Sequence, residues 1–141
     1  MSRLKRFLDL PAHERSLLVR ALFYVVAARA CVTFMSFPAL CRRLIRTAVP
    51  APAFTRHSPE RIAWAVAAAG RLVPGSTCLS ESVAAHLLLR RGGWPAVLCL
   101  SVEAGRVGGL PFRAHASVES QGRTVIGGPA GEGFTSLARI G

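Results

Sequence analysis

The sequence predicts an α+β protein in which helices come first and an antiparallel sheet follows. Helical spacing and helix-start signals fill the first two thirds of the chain, whereas β-prone runs broken by glycine turns fill the rest. With 141 residues, 51% hydrophobic and only 18% charged, the chain can bury a core and is too apolar to be disordered. We divide it into an N-terminal helical region over 1–57 and a core over 58–141.

The segment 11–47 is predicted to be helical. Pro11 suits a first helical turn, and Glu14 lies near the positive end of the helix dipole. Pro38 is expected to break or restart the helix, and 47–57 is interpreted as a linker because of its prolines. Apolar residues recur at helical spacing at Leu17, Leu18, Ala21, Leu22, Val25 and Val26.

The most apolar part of this segment is Ala21–Ala28, which lies between two arginines. Eight residues are too few to cross a bilayer, which takes about 20. A second apolar run, Ala30–Leu40, follows. Together the runs predict a helix lying against the domain, a partner or a membrane face, and we favour a buried core helix.

Two more helices have clear start and stop signals. Ser58 and Pro59 suit an N-cap and a first helical position, and the apolar stripe of this helix continues to Leu72 or Val73 before Pro74 and Gly75 stop it. Ser76 and Thr77 then offer an N-cap for a helix over Cys78–Arg91, which is ended by two glycines.

Strands are predicted from residue 95 onward. Gln121 and Gly122 form a plausible hairpin turn between the second and third runs, and residues 103–109 form a glycine-bearing turn. The glycine-rich C-terminal piece is expected to supply only packing anchors, Phe134 and Leu137. The predicted strands are Pro95–Val102, Phe112–Glu119 and Arg123–Ile126.

Cys78 is the candidate nucleophile because it begins a predicted helix after a Pro-Gly-Ser-Thr turn. Backbone N–H groups and the dipole at a helix start stabilise a thiolate, and the same groups can bind an oxyanion. The competing interpretation is a small apolar side chain in the core. Four cysteines without C-x-x-C spacing, and no secretory signal, predict free thiols in a reduced cytoplasmic setting without metal or cofactor.

His115 is the candidate base, because it lies in a strand of the sheet that must pack on the Cys78 helix. His86 is on the same helix as Cys78, about 12 Å along its axis, which is too far for proton transfer. His13 and His57 could fold back, but no pattern places them.

The segment CLSESVAAHLLLRRGG at 78–93, followed by AHASVE at 114–119, resembles the transglutaminase-like leader peptidases of lasso-peptide biosynthesis. The resemblance covers about residues 11–137 and implies a papain/transglutaminase-like core. It also implies a cysteine protease, with Cys78 as nucleophile and His115 as base, that removes the leader from a ribosomally made precursor peptide. The implied partners are that leader, a small leader-binding protein and a macrolactam cyclase.

The sequence departs from the family at two positions. Ser117 replaces a frequent aromatic residue, and Gly127 stands where the family has an acid. A two-residue hairpin turn would pair Gly128 with His115, and a one-residue bulge was expected to bring in Gly127 instead. The one aspartate, Asp9, lies in the N-terminal tail, so a third catalytic residue must be a glutamate or be absent.

Two glutamates compete for the role of third catalytic residue. Glu119 lies about 13 Å from His115 along the strand and is interpreted as an exposed charge. Glu132 lies beyond the return strand and could reach back. A backbone carbonyl, a water or a partner's side chain would also serve, because the third group mainly orients the base.

The net charge of +11 favours an acidic partner, although genome composition explains arginine richness equally well. A basic nucleic-acid module would not account for Cys78 and His115, so no nucleic acid is predicted, whereas a peripheral membrane contact stays open. The alternatives to a peptidase are a degenerate peptide-binding scaffold and an acyltransferase on the same two residues.

Overall fold

The computed structural model describes residues 3–34, 39, 42–43, 57–75, 77–103, 114–127 and 134–140. It confirms the α+β fold, with the helices first and one antiparallel sheet after them. The elements are α1 (Arg3–Leu8), α2 (Ala12–Phe34), α3 (Pro59–Gly70), α4 (Cys78–Arg91), β1 (Val97–Glu103), β2 (Ala114–Ser120), β3 (Arg123–Ile126) and β4 (Phe134–Ile140).

The sheet has the strand order β3-β2-β1-β4. In the central pair, Leu98 lies opposite Val118 and Ser101 lies opposite His115. Gln121 and Gly122 form the β2–β3 hairpin turn as predicted, with φ of 55° and 76°. Positive φ at both central residues matches the twist of the flanking strands, which is why glycine is favoured there.

Helix α4 is the centre of the molecule and packs against α2, α3 and β2. Its side chains are buried on all sides beyond the first turn, apart from a few half-buried positions. The sheet contributes the residues on one face of β1 and β2 to the same core: Leu98, Leu100, Ala116 and Val118. Close packing of α4 against these elements gives its N-terminus a defined position in the fold.

Helix α2 is apolar on two opposite faces, of which only one enters the core. Leu17, Ala21, Val25 and Ala28 pack against the other helices. Leu22 and Val26, assigned to the same apolar stripe from the sequence, are exposed. Of the described helices, only α2 is long and apolar enough to cross a membrane, which corrects the conclusion drawn from Ala21–Ala28. Only 22% of its most apolar window is buried, so the core-helix interpretation applies to its inner face alone.

Several predicted boundaries change. Helix α3 ends at Gly70, before the predicted Pro74 stop, and Leu72 is exposed in the following turn. Helix α1 and strand β4 were not predicted. Pro38, most of the 47–57 linker, the turn after Glu103 and Cys41 lie outside the described residues.

The division into regions 1–57 and 58–141 stays a prediction. Residues of α2 share one hydrophobic core with α3, α4 and the sheet. An ion pair between Glu14 and Arg61, 2.6 Å long, also joins α2 to α3. Helix α2 is therefore part of the same packed structure as α3, α4 and the sheet.

Candidate active site

Cys78 is the first residue of α4, and its side chain is exposed. A reciprocal capping box holds the turn before it. The hydroxyl of Thr77 accepts from the N–H of Ser80 at 3.3 Å, and the hydroxyl of Ser80 accepts from the N–H of Thr77 at 2.9 Å. The Ser80 hydroxyl also donates to the Thr77 carbonyl at 3.0 Å, and Ser80 is fully buried.

The cap determines which backbone N–H groups beside the Cys78 thiol stay available to a ligand. The N–H of Ser80 is used by the cap, whereas helix geometry provides no intrahelical acceptor for the N–H groups of Cys78 and Leu79. They lie at the positive end of the dipole of α4. Such donors can bind the oxyanion that forms when a thiolate attacks a carbonyl.

An arginine lies against the turn that leads into α4. Gly75 has φ of +74°, and a Cβ at this position would be 2.8 Å from Nη2 of Arg29. Arg29 belongs to α2 and donates to the hydroxyl of Thr33 on the same helix. Nothing in the sequence indicated this contact, because it joins residues distant along the chain through the packing of α2 on α4.

His115 is half-buried and is the second residue of β2, so its predicted strand is confirmed. Helix α4 packs on β2, on the face that presents Ala116 and Val118. Strand alternation assigns His115 to the other face, together with Ser117. The pairing of the His115 imidazole with the Cys78 thiol stays a prediction.

Gly127 does not take the position expected of it. The bulge lies on β3: Glu119 pairs with Thr124, but Val118 pairs with Ile126. The extra residue lies on the return strand, so each later residue of that strand faces a β2 residue one position nearer the hairpin turn. The bulge therefore does not bring Gly127 opposite His115, and that part of the prediction is wrong. A Cβ on Gly127, where φ is +87°, would lie 2.3 Å from the carbonyl oxygen of Ala116.

The candidate third residues are placed as follows. Glu119 accepts a hydrogen bond of 2.9 Å from Arg139 on β4, in agreement with its interpretation as a strand charge. Glu132 and Gly128 lie outside the described residues, so the role of Glu132 stays a prediction.

Glu81 is an acid near the nucleophile that the sequence interpretation overlooked. It lies three residues after Cys78, on the same side of the helix, a spacing that was visible in the sequence. Burial raises the pKa of the Glu81 carboxyl, and nearby Arg71 partly offsets the increase. Its carboxyl group lies against Gly70 at the end of α3, where an added Cβ would collide with it.

The other histidines have structural positions. His86 is fully buried in α4, and burial lowers its pKa to about 4, with a smaller contribution from Arg90. The rings of His13 and His57 stack with centroids 5.7 Å apart. The indole N–H of Trp94 donates to the carbonyl of His57 at 2.9 Å, so Trp94 fastens the chain before α3 to the turn before β1.

Cys31 and Cys99 are free, half-buried thiols, in contrast to the exposed Cys78. Burial raises the pKa of the Cys99 thiol, and the charge of Glu119 raises it further. Within the described residues, no group of three or more His, Cys, Asp or Glu side chains could hold a metal ion.

A buried central helix that starts with an exposed cysteine and packs on an antiparallel sheet defines a papain-like core. The family model for the transglutaminase-like superfamily matches residues 19–139, and the chain belongs to this superfamily. The superfamily includes cysteine peptidases and acyltransferases. No match was found among curated proteins or among solved structures.

Proposed function

We propose that this protein is a cysteine peptidase that removes the leader from a ribosomally synthesised lasso precursor peptide. The observation that carries the proposal is the exposed Cys78 at the capped start of the central helix of a transglutaminase-like fold. The leader specificity rests on the resemblance of 78–93 and 114–119 to lasso leader peptidases.

In the proposed reaction, His115 takes the proton of the Cys78 thiol, and the thiolate attacks the scissile carbonyl. The oxyanion is bound by the N–H groups at the start of α4. The imidazolium then gives its proton to the departing amine, which leaves a thioester on Cys78. Water, deprotonated by His115, hydrolyses the thioester and releases the leader and the free thiol.

Glu132 is proposed as the residue that orients His115, and no cofactor or metal takes part. The proposed setting is the cytoplasm, with the precursor leader, a small leader-binding protein and a macrolactam cyclase as partners. Arginine residues would attract acidic residues in a precursor.

The test is cleavage of a candidate precursor, followed by mass spectrometry, with and without the leader-binding protein. We expect wild type to cut, and Cys78→Ala and His115→Ala to lose at least 100-fold in rate. Glu132→Gln is expected to lose less, because it changes only the orientation of the base. Cys99→Ala and His57→Gln are matched controls and should cut like wild type.

Two results would favour other functions. If wild type with its partner does not cut, the degenerate scaffold is the better interpretation, in line with the missing acid at Gly127. If an added amine is joined to the new carboxyl end in a Cys78-dependent manner, the protein is an acyltransferase, because the acyl-enzyme is then resolved by an amine in place of water.

A further inference from the structure

The exposed apolar side chains whose burial is described lie on the helical part of the protein. Each large hydrophobic residue among them lies on α1, α2, α3 or the turn directly after α3. We define the α1–α2 apolar surface by Leu4, Leu8, Val19, Phe23, Val26 and Trp64. Exposed apolar residues that cluster in this way often mark an interaction site.

Helix α2 gives this surface its length. Val19, Phe23 and Val26 recur at helical spacing on the side opposite Leu17 and Ala21, which are buried. Phe23 is 69% exposed and Val26 is 52% exposed. The side chains at these three positions carry no hydrogen-bonding groups, so they can enter an apolar phase without leaving a polar group unpaired.

A groove of about 720 Å³ between α1, α2 and α3 continues the surface. Leu4, Val19 and Trp64 line it, and Arg3, Arg6 and Arg71 contribute their side chains to the same lining. Among the described residues that line it, none is acidic. Guanidinium groups bind phosphate by paired hydrogen bonds, so the groove offers phosphate-binding groups beside an apolar floor.

The basic charge of the protein favours an anionic membrane over a second copy of the chain at this surface. A second copy would bring the groove arginines of two chains together, each chain with a net charge of +11, which disfavours a dimer there. We propose that the α1–α2 apolar surface docks on an anionic phospholipid membrane. The apolar side chains enter the interface between headgroups and acyl chains, and the groove arginines bind lipid phosphates.

The experiment is co-sedimentation of the full chain with vesicles of phosphatidylcholine containing about 30% phosphatidylglycerol, compared with pure phosphatidylcholine. We expect binding to the anionic vesicles that weakens at high salt. Phe23→Ser with Val26→Ser, and separately Arg3→Gln with Arg6→Gln, should each lower the partition coefficient about tenfold or more. Arg123→Gln, an exposed charge on β3, is the matched control and should bind like wild type.

A second measurement locates the contact. In a Trp94→Phe variant, Trp64 is the single remaining tryptophan, and its emission should shift to the blue with anionic vesicles. No vesicle binding, equal binding of the Phe23 and Val26 variant, or an unchanged Trp64 spectrum would each overturn the proposal. Capture of an acidic protein without vesicle binding would make the surface a protein interface instead.

Discussion

At the scale of single residues, Gly127 stands where the family that the sequence resembles has an acid, and its backbone explains why a carboxylate does not fit there. Its φ of +87° belongs to the left-handed region, and the carbonyl oxygen of Ala116 fills the space where a side chain would begin. Both effects act on any residue with a Cβ, whatever its charge. The position is therefore a backbone contact between β2 and the end of β3 and is closed to a carboxylate in this conformation.

We predict that Gly127→Asp lowers stability and does not increase peptidase activity. Gly127→Ala and Gly122→Ala separate the causes, because Gly122 has φ of +76° but open space around it. Gly122→Ala should lower the free energy of unfolding by about 1 kcal/mol through backbone strain alone. Both Gly127 variants should lower it further, because their side chains also collide with the Ala116 carbonyl. Urea unfolding measures the difference, and a Gly127→Ala variant as stable as Gly122→Ala would contradict the explanation.

At the scale of secondary-structure elements, the start of α4 affects both the stability of the helix and the position of the candidate nucleophile. The same hydroxyl of Thr77 that caps the helix also fixes the turn next to Cys78. Helix α3 has an equivalent cap, in which Ser58 accepts from the N–H of Arg61 at 3.2 Å. No nucleophile follows that second cap, so the two helix starts form a natural comparison.

We predict that Thr77→Val and Ser58→Ala each lower the free energy of unfolding by about 1 kcal/mol. Only Thr77→Val should also change the rate of alkylation of Cys78 by iodoacetamide at pH 7, because fraying of the first turn displaces the thiol from the N–H groups at the helix start. Peptide mapping after alkylation gives the rate at Cys78, with the half-buried Cys99 as an internal reference. An equal change of rate in both variants would mean that the effect is one of global stability.

Elements with local signals could be predicted from the sequence. The bounds of α4 and of β3 agree with the prediction, because Thr77, the glycines at 92 and 93, and the Gln121 and Gly122 turn mark them chemically. Strand β4 was missed because its strand character comes from pairing with β1, more than thirty residues away, and not from its own glycine-flanked sequence.

In the candidate site, too, the local features could be predicted and the tertiary contacts could not. The place of Cys78 at a helix start is local and was predictable, as was a strand for His115. The contact of Arg29 with Gly75, and the assignment of His115 to the face of β2 away from α4, depend on tertiary packing and on register. Apolar periodicity likewise could not show which of the two apolar faces of α2 is buried.

At the scale of the whole molecule, a titratable side chain lies within the core. His86 is fully buried on α4, and among the described residues neither of its ring nitrogens finds a hydrogen-bond partner. A charged imidazole there would lose its hydration without compensation. The folded protein therefore holds His86 neutral, with a pKa of about 4 against 6.5 for a free side chain.

This depressed pKa makes the fold sensitive to acid. Between about pH 6.5 and pH 4 the unfolded chain binds a proton at His86 and the folded chain does not, so stability is full above this range and falls as the pH drops through it. At pH 5 the loss relative to pH 7 should be about 2 kcal/mol.

We predict that His86→Leu removes most of this loss, because the substituted side chain binds no proton in either state. His57→Gln is the matched control: the pKa of His57 is also lowered, first by burial, but the side chain is half-buried, so most of the pH dependence should remain. Urea unfolding at pH 7 and pH 5 measures both variants against wild type. If His86→Leu loses as much stability at pH 5 as wild type does, the acid sensitivity arises elsewhere, and the neutral buried histidine is not its cause.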